Sequence, residues 1–160
     1  MARMTITGLE GFTDKLLRMG NEAELPMTAA VFAGAGKLVE AVAAEIDMLP
    51  EQQGYMRPGD QRNVVTRDEK EALKTHIGIA KFEKTGGQVT TAIGFGGYSE
   101  HKTKKYPNGV PIPLIARSVE SGSSVRQKHP FMRNAVNKAK AAVEQAMREA
   151  AEAKFREMGR

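Results

Sequence analysis

The residues able to do chemistry are few and scattered. Histidine, the side chain most used for proton transfer near neutral pH, occurs only at His76, His101 and His129, and no two of these are spaced as a metal-binding pair. Cysteine is absent, which removes thiolate nucleophiles, thiolate zinc sites, iron–sulfur clusters and disulfides together. Gly94-Phe95-Gly96-Gly97 has the composition of a phosphate-cradling loop, but no Gly-Lys-Ser/Thr follows, so these read as turn glycines. Glu69 and Glu71 beside Lys70 and Lys74 read as a solvated helix face. An active site needs a nucleophile with its base, or paired carboxylates, converging on a cleft. The sequence supplies neither, and the expectation is a non-enzyme with no metal and no cofactor. A hydrolase built on one of the histidines is the catalytic rival.

Charge is the stronger signal. Residues 1–50 hold four Lys/Arg against seven Asp/Glu, residues 51–100 hold seven of each, and residues 101–160 hold thirteen against five. The windows therefore carry net −3, 0 and +8 within an overall +5. Between Lys102 and Lys140 nine basic residues face one acid, Glu120. Such a stretch is either a solvated face or a surface that meets polyanion or an acidic protein partner. Lys102, Lys104, Lys105, Arg117, Arg126, Lys128, Arg133, Lys138 and Lys140 could neutralise phosphates with salt-dependent, sequence-blind affinity. No helix-turn-helix, zinc-finger or RNA-recognition signature accompanies them. Tryptophan is absent and aromatics make up 6% of the chain, which argues against a base-stacking platform or a sugar cleft.

The elements that must carry these residues follow from periodicity. At 160 residues, 41% hydrophobic and 27% charged, a single domain over 1–160 with its own core is expected. No uninterrupted apolar run approaches the roughly 18 residues of a membrane span, and the start lacks a secretion signal's apolar stretch; the expectation is a soluble intracellular protein with no membrane association. Leu9, Phe12, Leu16 and Met19 share one face of a short helix that Gly20 can end. A second helix starts near Pro26 and runs to Pro50 on the stripe Met27, Val31, Ala35, Leu38, Val42, Ile46, Leu49, with Gly34 and Gly36 marking close packing against a neighbour.

Residues 51–65 read as an exposed loop. Thr66-Arg67-Asp68-Glu69 fits a capping box opening a helix through His76. Ile77 to Lys84 and Gln88 to Phe95 read as a hairpin turning at Thr85-Gly86-Gly87, with Ile77, Ile79, Lys81 and Glu83 alternating against Gly78, Ala80, Phe82 and Lys84. Residues 96–113, with three prolines, are expected to be a flexible loop. One or two helical turns follow over Leu114 to Glu120, stopped by Gly122. A last helix over about 130–158 presents Phe131, Ala135, Ala139, Ala142, Val143, Ala146, Met147 and Ala150, a thin stripe that needs another helix or subunit. The fold class is α+β: a small antiparallel β-sheet, expected to hold more strands than this hairpin, packed against N-terminal helices and a long C-terminal helix.

The stretch Leu114–Ala135, LIARSVESGSSVRQKHPFMRNA, resembles the tailed-phage head–tail joining and tail-completion protein family. Its Ala-x-x-Val-Glu-x-Gly-Ser/Thr element, basic loop and Pro-Phe-Met/Leu-Arg segment are matched by Ala116, Val119, Glu120, Gly122 and Ser123, then Pro130, Phe131, Met132 and Arg133. The order of elements along most of the chain is also similar, with departures at Asn134, where many members have proline, and at His76, where serine is usual.

Apart from the resemblance, Glu120 is placed to pair with Arg126 or Arg133, Gly122 to stop a helix, and Pro130-Phe131 to start the next with an apolar anchor. What the resemblance implies is a structural virion protein in the neck of a siphophage. Such a subunit forms a homo-oligomeric ring, hexameric in form, that joins the tail tube or tail terminator to the head–tail connector around the passing DNA. It would be found in the virion and, during assembly, in the host cytoplasm. Lys102, Lys104, Lys105, Glu120, Gly122, Ser123, Arg126, Pro130, Phe131 and Arg133 are then the candidate subunit or partner interface. The runner-up is a small basic DNA-associated binding protein.

Overall fold

A computed structural model describes residues 24–51, 65–124 and 126–158. The helix expected at 9–20 and nearly all of the loop expected at 51–65 lie outside these residues. The described elements are helix α1 (Glu24–Asp47), helix α2 (Arg67–Thr75), strands β1 (Ile77–Ile79), β2 (Glu83–Thr85), β3 (Gln88–Thr90) and β4 (Ile93–Phe95), helix α3 (Ile112–Ser121) and helix α4 (Phe131–Met158). The result is an α+β arrangement in which the long C-terminal helix packs on the N-terminal one and two small antiparallel sheets, β1–β4 and β2–β3, lie against it.

The α1–α4 pair is the most extensive contact between elements. It is antiparallel: Gly34 meets Val143 and Met147, while Glu45, eleven residues later, meets Lys138. On α4 the buried line is Phe131, Ala135, Ala139, Val143, Met147 and Ala151, a strict four-residue step; on α1 it includes Ala30, Gly34, Leu38, Val42 and Ile46, the same step. Four residues overshoot a helical turn by about 40°, so both lines wrap obliquely, and two such ridges interdigitate. This corrects the expected α4 face: Ala142 is exposed, Ala146 and Ala150 are half-buried, and Met132 and Ala151 take their places.

Gly34 is where side chains of α4 lie against the backbone of α1. A Cβ there would stand 2.6 Å from Met147 Cγ and 2.9 Å from its Sδ, so a larger residue would force the Met147 side chain to move. At Gly36, by contrast, nothing lies within 4 Å of a built Cβ. Close packing, expected at both glycines, belongs to one of them.

The hairpin has the expected turn and an unexpected fault. Gly86 and Gly87 have φ of 58° and 79° between the paired residues Thr85 and Gln88, the two positive φ values of a two-residue turn. Below the turn, Glu83 pairs with Thr90; further down, Ile79 pairs with Ile93. Three residues on one strand thus face two on the other, which is a β-bulge, closed by Ala80 N–H donating to Ala92 O at 2.8 Å and Thr91 Oγ1 donating to Ala80 O at 2.8 Å. One extra residue reverses the alternation beyond it. Phe82, expected opposite Ile77 and Ile79, therefore joins their side, and its ring lies 6.3 Å from that of Phe32 on α1. The further strands expected in this sheet are not among the described residues, where the only other pairings are isolated bridges.

Helix α1 also revises the membrane reading. Its mean hydropathy over an 18-residue window is 1.4, so by length and composition it could cross a membrane, and 28% of that window is buried. Hydropathy averaged over a window tolerates Lys37 and Glu40, which interrupt any continuous apolar run. Its inner face is the core just described. Most of the window lies outside that core.

Candidate functional site

Residues 112–133 fold into a corner between α3 and α4. Helix α3 begins after Pro111, two residues ahead of the expected start, and ends at Gly122, whose φ of 77° is open to glycine and strained for other residues. A Cβ at Gly122 would also press on Lys128 at 3.2 Å. His129 N–H donates to Val119 O at 2.8 Å and closes the loop.

Helix α4 starts after Pro130, which has no side-chain acceptor with which to cap it. Glu120 supplies the cap from the neighbouring helix: its carboxylate accepts from Met132 N–H at 2.8 Å and from Arg133 N–H at 3.2 Å. These are amides of the first helical turn, which have no partner within the helix, and a negative charge there also matches the helix dipole. Phe131 sits beside this cap, fully buried, its ring edge-on to Phe95 at 5.9 Å. The expected pairing of Glu120 with Arg126 or Arg133 is thus corrected. Arg133 contributes its backbone, and its side chain is exposed.

Arg126 goes elsewhere. Its guanidinium Nη2 donates to both Glu69 carboxylate oxygens at 2.8 Å, and Nη1 donates to Ser118 Oγ at 3.2 Å. Glu69 is at the same time the capping-box residue of α2: Thr66 N–H donates to Glu69 Oε2 at 3.0 Å, and Glu69 N–H donates to Thr66 Oγ1 at 3.2 Å. One carboxylate therefore caps α2 and ties it to the α3–α4 corner, with both side chains of the ion pair less than a quarter exposed. Glu69 is not merely part of a solvated face. No spacing rule connects residues 57 apart, so the capping box is legible from neighbouring residues and the second role is not.

The nine basic residues from Lys102 to Lys140 now divide. Arg126 is held by Glu69, and Lys138 by the buried Glu45 at 2.6 Å. The side chains of Lys102, Lys104, Lys105, Arg117, Lys128, Arg133 and Lys140 are exposed and form no ion pair among the described residues. Lys102, Lys104 and Lys105 ride on the 96–111 segment, which has no helix or strand but is stitched by Ser99 N–H to Val110 O at 2.9 Å, Val110 N–H to His101 O at 3.1 Å and Ile112 N–H to Gly97 O at 3.1 Å. The Lys105 ammonium stands 5.6 Å from the Tyr106 ring centre. The candidate interface residues therefore form two groups. Glu120, Gly122, Ser123, Arg126, Pro130 and Phe131 are engaged within the corner, Ser123 through backbone hydrogen bonds with Arg126, whereas the Lys102, Lys104, Lys105 and Arg133 side chains face outward.

The histidines do not converge. His76 caps the end of α2, its Nδ1 3.0 Å from Ala72 O, while His101 lies in the basic segment and His129 in the corner loop. Among the described residues no group of three or more His, Asp or Glu could hold a metal, and no buried side-chain polar atom lacks a hydrogen bond. On α1, Lys37, hydrogen-bonded to Glu40 at 2.8 Å and attracted by its charge, has its pKa raised. No family model, no curated protein and no solved structure matches the chain.

Proposed function

We propose that this chain is a structural subunit of a tailed bacteriophage, a neck or tail-completion protein that forms a ring, hexameric in form, between tail tube and head–tail connector. The reading rests on the family-like segment Ala116 to Arg133. One observation carries it: the motif residues Glu120, Gly122, Pro130 and Phe131 build a single capped corner, and seven cations that form no ion pair among the described residues are exposed. A corner fixed internally by backbone capping is a rigid mount, and exposed charge suits contact with another subunit, a connector protein or the DNA backbone.

The work asked of such a subunit is done by surfaces and needs no active site. An acidic N-terminal third and a basic C-terminal third, net −3 and +8 in the windows 1–50 and 101–160, suit a head-to-tail contact that closes by rotation. Native mass spectrometry of the purified full chain tests this: one closed oligomer that dissociates as salt rises supports the reading, and a monomer at all concentrations contradicts it. The same seven cations favour a second reading, a small DNA-associated binding protein. A duplex-binding titration separates the two, because phosphate-driven affinity falls steeply with log salt in the absence of any oligomer.

A further inference from the structure

Residues 97–112 form a finger whose backbone closes on itself. At its base Ile112 N–H donates to Gly97 O at 3.1 Å and Tyr98 bridges Pro111. Further out, Ser99 N–H donates to Val110 O at 2.9 Å and Val110 N–H donates to His101 O at 3.1 Å. The two legs meet backbone to backbone at Gly109, whose φ is 101° and where a Cβ would stand 1.9 Å from Ser99 O, so only glycine fits. At the tip Thr103 and Tyr106 exchange N–H to O hydrogen bonds at 3.1 Å in both directions, which leaves Lys104 and Lys105 as the two residues of the turn. Their side chains and that of Lys102 are exposed and form no ion pair among the described residues. No Asp or Glu occurs from His101 to Val119.

We propose that this finger contacts the sugar–phosphate backbone of double-stranded DNA through Lys102, Lys104 and Lys105, without reading the bases. The inference rests on the neck reading only in taking the duplex that passes through the ring as the polyanion it meets. Three features select DNA over an acidic protein. The cations of the tip are all lysines, compact point charges that meet phosphates without the planar fork by which arginine pairs a carboxylate. The tip also exposes no large apolar side chain: Tyr106 is half-buried, with the Lys105 ammonium 5.6 Å from its ring centre, so the aromatic or aliphatic anchor on which protein interfaces depend is missing. Finally, two paired legs of backbone have the width of a two-stranded ribbon, which the major groove of B-DNA admits. Contact with phosphates alone lets a protein slide along DNA, so such a finger steadies a moving duplex without arresting it.

The test is a titration of the full chain with a short labelled DNA duplex of mixed sequence, read by fluorescence anisotropy over a range of salt. Lys104→Gln with Lys105→Gln is expected to lower the slope of log affinity against log salt by about 1.8, two phosphate contacts at about 0.9 each. Lys37→Gln with Lys154→Gln is the control, since it removes the same charge from lysines paired with Glu40 and Glu157, and it should leave the slope unchanged. Equal losses in the two variants overturn the proposal, because the attraction would then belong to net charge and not to the finger. Lys104→Arg with Lys105→Arg should keep the slope, and its loss there overturns a contact made by charge. So does a chain that binds no duplex at low salt, or one that binds polyglutamate more tightly than duplex, which would assign the finger to an acidic protein. Oligomeric state is measured on the same samples. A ring that forms without duplex affinity overturns this inference and leaves the neck reading standing; finger-dependent duplex affinity in a chain that stays monomeric does the reverse.

Discussion

The α3–α4 corner and the 96–111 segment lie next to one another in sequence, draw on the same basic composition, and use it in opposite ways. In the corner, charge is consumed: Glu120 is spent on two backbone amides and Arg126 on Glu69 and Ser118. In the segment the backbone is closed by its own hydrogen bonds while Lys102, Lys104 and Lys105 point to solvent. The difference separates residues that hold the fold from residues available to a partner. It also shows why net charge alone is a poor guide to an interface.

That contrast predicts a graded set of mutational effects. Phe131→Ala removes the buried anchor of the corner and should cost about 3–5 kcal/mol of folding stability, read by denaturant unfolding. Arg126→Met should cost about 1–2 kcal/mol, since it cuts charged hydrogen bonds that are largely shielded from water. A double-mutant cycle with Glu69→Gln should show the two residues coupled; additive effects would mean that the pair does not link α2 to the corner. Glu120→Ala should cost about 1 kcal/mol as a lost helix cap, and Glu120→Gln less, because an amide oxygen can still accept from Met132 N–H. Lys104→Glu combined with Lys105→Glu should leave stability within about 0.5 kcal/mol and yet weaken ring formation or tail joining. If that pair unfolds the protein, or leaves assembly intact, the division between holding and available residues fails.

Much of the local structure was legible because it depends on neighbours in sequence. The Thr66–Glu69 capping box, the Gly86-Gly87 turn, the stop at Gly122 and the start of α4 after Pro130 are each written in three or four adjacent residues. What escaped depends on register or on distant partners. The bulge that moves Phe82 across the sheet is one inserted residue with no composition signature. Glu120 caps backbone amides, which every residue but proline carries, so charge matching pointed instead to arginines. The Arg126–Glu69 pair exists only because α2 and α3 pack together. The four-residue burial step on α4 was blurred by alanines on every side, which leave Ala142, Ala146 and Ala150 no less apolar than the residues that are buried.

The proposal that this chain is a phage neck subunit is tested most directly by cryo-electron microscopy of particles purified from the cells that express it. The account predicts a single ring of copies at the head-proximal end of the tail, with Lys104 and Lys105 at a contact with a neighbour, the connector or DNA. A particle in which this chain has no place, or in which those lysines face empty solvent on every copy, would contradict it.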